Sequence, residues 1–197
     1  MNHKKNQNNE LMPQNNELMS PDDMKYVGFS FIGIFLSNIL NVCGVLSGEE
    51  GINYYAEAHL SSWNSWMHTI GMPFTLYGIS CWVPALFNSI RLISKNGRNK
   101  MQLAIWYMYM IHYMTIDFKR ALFCTAFYLY PCYKAYTKTA STQSNFKLFL
   151  HGFLISFSSL VFQEIVGHYM GGDMPSRPEG VLNAILYSVI YSTYHIV

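Results

Sequence analysis

Long blocks without a charged residue dominate the chain after its first 25 residues. They cover residues 26–48, 58–90, 101–116, 121–133, 148–163 and 180–197. A membrane-spanning helix needs about 20 mostly apolar residues. The runs 27–46 and 69–90 meet that length, and 148–166 nearly does. The pattern predicts an all-α protein, a polytopic integral membrane helical bundle with about four to six membrane segments.

A soluble helical bundle with an apolar core is the alternative. Helices of soluble proteins show a polar stripe with a residue every third or fourth position. Residues 27–46 carry only a few serines and asparagines, with no charge among them. The membrane interpretation is therefore favoured.

The first 24 residues differ from the rest. They are rich in Asn, and the pentapeptide Asn-Asn-Glu-Leu-Met occurs at 8–12 and again at 15–19. Such a segment buries too little apolar surface to offset the entropy that folding would cost, so it is predicted to be disordered. This divides the chain into a tail, residues 1–24, and a membrane helical domain, residues 25–197.

Composition and charge narrow the function classes. Only 12% of the 197 residues are charged and the net charge is +2, whereas soluble domains average about 25% charged residues. A nucleic-acid binder needs a basic face, so no nucleic-acid partner is expected. The four cysteines form no CxxC pair, which argues against a zinc ribbon.

The loop charges predict which parts of the chain share a membrane face. The loops 91–100 and 134–147 hold basic residues, and the loop 47–58 holds three Glu and no Lys or Arg. The positive-inside rule places the first two loops on the cytosolic side. The segment 69–90 crosses the membrane between residues 59–68 and the loop 91–100. The segment 148–166 crosses it between the loop 134–147 and residues 168–173. These two regions are therefore predicted to meet at one face, whichever way the chain is inserted.

Three of the seven histidines, His59, His68 and His168, lie in those converging regions. A helix that begins at Ser61 or Ser62 puts Asn64 and His68 on one face. The other histidines are expected elsewhere: His112 at mid-depth, His151 and His195 near the opposite face.

Two acids accompany the histidines. Glu164 precedes His168 by four residues, which on an α-helix places both on one face, and Asp173 follows in a Gly- and Pro-rich turn. Imidazoles with an oxygen ligand and open positions are typical of a non-haem iron site. Three histidines with one open position would also suit zinc, so both metals stay possible on spacing alone.

The residues in these two regions form recognisable motifs. Tyr55, His59, Asn64, His68, Gly71 and Pro73 give the pattern Y-x3-H-x4-N-x3-H-x2-G-x-P, and Gln163-Glu164-Ile165-Val166-Gly167-His168 is followed by Asp173 and Pro175. Together they resemble the membrane-bound, iron-dependent 2-hydroxy-palmitic acid dioxygenase family, over residues 26–197.

The resemblance implies a function and a site. The family uses Fe(II) and O₂ to shorten a 2-hydroxy fatty acid by one carbon during phytosphingosine breakdown at the endoplasmic reticulum. It implies metal ligands at His59, His68 and His168. Asn64, Glu164 and Asp173 are the candidate catalytic residues because of their positions beside these histidines. The expected partners are the lipid substrate, O₂ and the membrane.

The second motif departs from the family pattern. The family has Gln four residues before the histidine, where this chain has Glu164, with Gln163 one position earlier. The family has Glu four residues after it, where this chain has Gly172, with Asp173 one position later. A non-catalytic membrane protein of the same fold is therefore the alternative function.

Overall fold

The computed structural model describes residues 48–174 and 181–196, and this part is helical. The helices are α1 Gly48–Glu57, α2 Ser62–Ser89, α3 Lys95–Ile116, α4 Phe118–Ser141, α5 Asn145–Phe162 and α6 Val181–Tyr191. A π-helical segment, Gln163–Tyr169, continues directly from α5. The all-α prediction is confirmed for the described residues. The predicted tail and the run 27–46 lie outside them.

Two of the described helices are long and apolar enough to cross a membrane. They are Ser62–Ser89, with 28 residues, and Asn145–Tyr169, with 25. Helix α6 has 11 residues, or about 16 Å, which is shorter than the hydrocarbon core of a bilayer. The run 180–197 therefore does not form one continuous span. The number of spans predicted, four to six, is larger than the two found among the described residues.

Helices α2 and α5 run antiparallel and form the most extensive helix pair. At one end, the indole N–H of Trp63 donates to the carbonyl of Val166 at 2.7 Å. At the other end, the Asn145 amide donates to the side-chain oxygen of Asn88 at 2.8 Å. The predicted meeting of residues 59–68 with residues 168–173 follows from this pairing and is confirmed.

Glycines allow these two helices to touch. A Cβ on Gly78 would lie 2.5 Å from the carbonyl oxygen of Gly152, and a Cβ on Gly152 would lie 2.6 Å from that of Gly78. Small residues that let backbones approach are a common basis of helix packing in membranes. The α2–α5 crossing therefore requires glycine at both positions.

The remaining helices build a core beside this pair. Helices α3 and α4 form a hairpin around Asp117. The Asp117 carboxylate caps α4 by accepting from the Arg120 backbone N–H at 3.0 Å, and it pairs with the Arg120 guanidinium at 2.7 Å. The buried core joins α1, α3, α4 and α6 with Met72 of α2, and its largest members are Tyr55, Tyr113, Tyr128 and Tyr187.

We predict that Gly152→Ala lowers the free energy of unfolding by about 1–3 kcal/mol, because the added methyl overpacks the contact with α2. Thermal unfolding in detergent measures the change. Gly97→Ala is the matched control, since its Cβ would meet only the Ile93 and Ser94 side chains at 3.2 Å or more. Equal loss of stability in both variants would contradict the assigned crossing.

Candidate metal centre

His59 lies in the turn between α1 and α2. Its backbone N–H donates to the Ala56 carbonyl at 2.9 Å, which closes the turn. Its ring stacks on Tyr55 with centroids 4.2 Å apart. The turn thus folds His59 back over the start of α2.

His68 and His168 come from the two paired helices. His68 lies in the second turn of α2, and His168 lies near the end of the π-helical segment. All three histidine side chains are buried, with exposures of 5%, 6% and 0% for His59, His68 and His168.

The three rings converge on one point through their Nε2 atoms. The Nε2 atoms of His59 and His68 are 3.3 Å apart, and those of His68 and His168 are 3.1 Å apart. One ligand atom from each ring lies within 4.8 Å of the others. Nitrogen ligands about 2.1 Å from one metal ion lie about 3.0 Å apart at a right angle and about 3.4 Å apart at a tetrahedral angle. The two short separations match that range.

Hydrogen bonds on the far side of the rings define their tautomers. The Nδ1 of His59 is 2.8 Å from the Tyr55 carbonyl, and the Nδ1 of His168 is 2.7 Å from the Met174 carbonyl. A carbonyl only accepts, so both Nδ1 atoms carry the proton. Both Nε2 atoms then present lone pairs to the centre. Backbone carbonyls are common partners of metal-bound histidines.

The lone pairs of His59 and His168 face a buried space that they share with Nε2 of His68. Burial lowers the pKa of His59 to about 4, so its ring is neutral at neutral pH and its Nε2 stays available to a metal ion. The described cluster therefore fits a metal ion, and the donor set of three imidazoles suits a first-row transition metal.

Asn64 and Asp173 connect the two motifs beside the histidines. The Asp173 carboxylate accepts from the Ser61 backbone N–H at 3.0 Å and from the Asn64 amide at 2.8 Å. Ser61 is the residue before α2, as predicted, but its own side chain makes no capping hydrogen bond. Asp173 caps the helix instead, and so ties the turn after His168 to the start of α2.

Asn64 also requires glycine on the neighbouring helix. The Asn64 amide nitrogen lies 3.2 Å from His168 Nδ1, but both groups are donors, so this is a packing contact. A Cβ on Gly167 would lie 2.7 Å from the Asn64 side-chain oxygen. The glycine before His168 thus makes room for the amide.

The helix type around Glu164 differs from the prediction. The sequence predicts an α-helix with Glu164 and His168 on one face, whereas residues 163–169 form a π-helix, in which positions five apart are joined. Gln163 and His168 are both buried, and Glu164 is half-buried. Its negative charge acts on His59, where it opposes the lowering of the pKa by burial.

Gln163 is the site residue that the sequence interpretation missed. Its amide donates to the Thr75 hydroxyl at 2.8 Å and to the Ser159 carbonyl at 3.2 Å. Its side chain also contacts His68, and a Cβ on Gly71 would lie 2.6 Å from it. The sequence did contain a signal for it, because Gln163 stands one position before the place at which the family pattern has glutamine.

The other described histidines lie outside the centre. His112 packs against Tyr113 and Tyr187 in the core, and His151 Nε2 lies 2.9 Å from the Tyr77 hydroxyl. The prediction for His195 is wrong, because its Nε2 lies 2.8 Å from the Thr69 hydroxyl, near the histidine end of α2. The short α6 ends there, with the Tyr191 hydroxyl 3.4 Å from the His59 carbonyl.

Comparison with protein-family models, with curated proteins and with solved structures finds no match. What the fold and the cluster show on their own is a helical protein with a buried three-histidine site able to hold a metal ion.

We predict that replacing His59, His68 or His168 by Ala abolishes stoichiometric metal binding, because each removes one of three converging nitrogens. Elemental analysis of the purified protein measures it. His151→Ala is the matched control and should keep the metal. Metal loss in the control with retention in His168→Ala would refute the centre.

Gln163→Leu should weaken metal binding by roughly 10–100-fold, as expected when the support behind a ligand is removed. Competition with a chelator of known affinity measures the change. Ser158→Ala, an exposed position on α5, is the control. Unchanged affinity in Gln163→Leu would show that the glutamine serves packing alone.

Proposed function

We propose that this protein is a membrane-bound, Fe(II)- and O₂-dependent dioxygenase that shortens 2-hydroxy fatty acids by one carbon. The convergence of the three Nε2 atoms in a buried site is the observation that carries the proposal. It supports the ligand set implied by the resemblance, His59, His68 and His168.

The spatial relation of the two motifs supports the same family. Asn64 from the first motif bonds Asp173 from the second, and Gln163 contacts Gly71 and His68. In a π-helix, residues five positions apart lie one above the other, so Gln163 lies next to His168. In an α-helix that place belongs to the residue four positions earlier, where the family pattern has its glutamine.

The reaction that we propose is balanced with one O₂ per substrate. A 2-hydroxy acid R–CH(OH)–COOH reacts with O₂ to give R–COOH, CO₂ and H₂O, so the substrate supplies all four electrons. When bound, Fe(II) would supply the redox chemistry and a template for the hydroxyl and carboxylate of the substrate. No 2-oxoglutarate is required.

The residues of the chain position and shield this chemistry. The Nδ1 hydrogen bonds to the Tyr55 and Met174 carbonyls hold two ligand rings in place. The Tyr55 hydroxyl lies 3.5 Å from Nδ1 of the third, His68. Asp173 and Asn64 hold the turn against α2, and the charge of Glu164 tunes His59. Burial of all three rings keeps bulk water away.

A membrane location suits a fatty-acid substrate. Trp63 and Trp66 are 47% and 48% exposed beside the centre, as is typical of side chains at a membrane interface. We propose that α3 and α4 are further membrane segments beside the two candidate spans, within the predicted range of four to six. The endoplasmic reticulum is the proposed compartment.

A metal-binding protein without turnover is the competing function. One observation favours this competing function: the Asp173 carboxylate is hydrogen-bonded to Ser61 and Asn64. The metal would then be bound by the three imidazoles without a carboxylate. Oxygen consumption separates the two functions, because both predict bound metal and only one predicts turnover.

The test uses the full chain, purified in detergent and loaded with Fe(II) under anaerobic conditions. Addition of O₂ and 2-hydroxyhexadecanoic acid should consume O₂ and form pentadecanoic acid in equal amounts. Hexadecanoic acid, which lacks the hydroxyl, is the matched substrate control. Iron binding without substrate-dependent O₂ uptake would reject the dioxygenase and favour the competing function.

Asp173→Asn should lower kcat by about 10–100-fold while changing iron content little, because the amide weakens the bonds that hold Asn64 without removing a ligand. Steady-state O₂ uptake and iron analysis on the same sample measure both quantities. Parallel loss of iron and activity would make Asp173 a ligand rather than a positioning residue.

A further inference from the structure

A second site lies at the opposite end of the molecule from the histidines. A cavity of about 360 Å³ opens between the start of α3 and the end of α4. Its volume lies within the range of small-molecule sites. Its lining includes three cations, Lys95, Arg98 and Lys100, together with Asn96, Asn99 and Tyr136.

Arg98 is buried at this cavity without a counter-charge. Its side chain is 2% exposed. Its Nη1 donates to the Asn145 side-chain oxygen at 2.9 Å, and its Nη2 donates to the Thr142 and Thr139 carbonyls at 3.0 and 3.4 Å. All these acceptors are neutral. Its Nε–H has no acceptor among the described residues.

No carboxylate within residues 48–174 and 181–196 is close enough to neutralise these cations. Asp117 is the one acid between residues 58 and 163, and it pairs with Arg120 at the other end of α3, about 28 Å away at 1.5 Å per residue. Lys95 donates to the neutral Gln143 side chain. A buried cation without an anion is costly, so this cavity favours an anionic ligand.

The backbone adds to the positive potential. Ser94 caps α3, a helix of 22 residues, by accepting from the Gly97 N–H at 3.1 Å. The helix N-terminus carries a partial positive charge that favours phosphate and other anions. The cavity therefore combines a helix N-terminus, two exposed ammonium groups and a buried guanidinium.

An apolar groove continues from the cavity. It has a volume of about 200 Å³, and Tyr136 lines both spaces. Trp106, Leu103 and Leu129 line the groove, and the two leucines are 52% and 61% exposed. The Gln102 side chain is 3% exposed, and its oxygen has no hydrogen-bond partner among the described residues. The groove thus offers an apolar surface with one open acceptor.

The order of the two spaces matches the shape of a lipid. The cavity lies at the end of the molecule that holds the basic loops. The positive-inside rule assigns this end to the cytosolic side of the membrane, where anionic lipids are enriched. The groove leads from there along α3 and α4. Basic pockets between helices on this side of membranes bind the head groups of acidic lipids.

We propose that this cavity binds the phosphate head group of an anionic phospholipid, with an acyl chain of the same lipid in the groove beside Trp106. Lys95 and Lys100 attract the phosphate, and Arg98 is neutralised by it. The site is separate from the histidine centre and does not depend on its function.

The experiment measures lipid binding to the full chain in neutral detergent by native mass spectrometry. Long-chain phosphatidic acid is the probe, and phosphatidylcholine of the same chains, which is zwitterionic and has no net charge, is the comparison. Phosphatidic acid should bind one molecule per chain at least about 10-fold more tightly than phosphatidylcholine. The double variant Lys95→Gln, Lys100→Gln should lose about 10-fold or more of that affinity, since each cation near a lipid phosphate contributes about 1 kcal/mol.

Lys147→Gln is the matched control, because Lys147 is exposed at the same end of the molecule and does not line the cavity. It should keep its affinity within 2-fold. Equal losses in the control and the double variant would overturn the site in favour of general surface charge. Circular dichroism verifies that both variants keep their helices, and Arg98 is left unchanged because it ties α3 to α4 and α5.

Two further probes distinguish a lipid from a soluble phosphate. Millimolar inorganic phosphate should not displace the long-chain lipid, and dihexanoyl phosphatidic acid should bind more weakly than the long-chain form. Displacement by inorganic phosphate with no dependence on chain length would overturn the lipid assignment and leave a soluble phosphate as the ligand.

Discussion

Three imidazole Nε2 atoms directed at one buried point are the feature on which the rest of this structure depends. They lie as close as 3.1 Å, and hydrogen bonds on the far side of His59 and His168 leave a lone pair on each of their Nε2 atoms. The fold maintains this arrangement by holding the rings from the side away from the centre. A bound metal would be held by these nitrogens only in the folded chain, so metal affinity and folding are coupled at this site.

The helix pair α2–α5 provides the rigidity that the centre needs. Contact at Gly78 and Gly152 brings the two backbones together, and polar groups then connect the helices along the way to the histidines. The Ser159 hydroxyl donates to the Gly71 carbonyl at 2.7 Å, and the Gln163 amide donates to Thr75 at 2.8 Å. Along α5 these bonds lie progressively closer to His168 than the contact at Gly152. Hydrogen bonds buried among apolar helices are costly to break, which favours one fixed position of each ring.

The sequence predicted the helical class and the meeting of the three histidines. The spacing of charged residues indicates where helices lie, and the number of membrane crossings indicates which regions share a face. It did not predict the π-helix at 163–169, because the positions of charged and apolar residues do not distinguish one turn of π-helix from an α-helix. That is why Gln163 was missed and Glu164 was placed on an α-helical face. His195 was predicted near the opposite face, whereas α6 ends at Tyr191 and the His195 ring lies beside Thr69.

The coordination of iron in the reconstituted full chain tests the central claim most directly. X-ray absorption at the iron edge, with the outer-shell scattering of imidazole rings resolved, counts the histidine ligands. The account predicts three imidazole nitrogens at about 2.1 Å, with the same spectrum in His151→Ala and no stoichiometric iron left in His168→Ala. A spectrum with one imidazole or none, or one with sulfur ligands, would contradict the three-histidine centre.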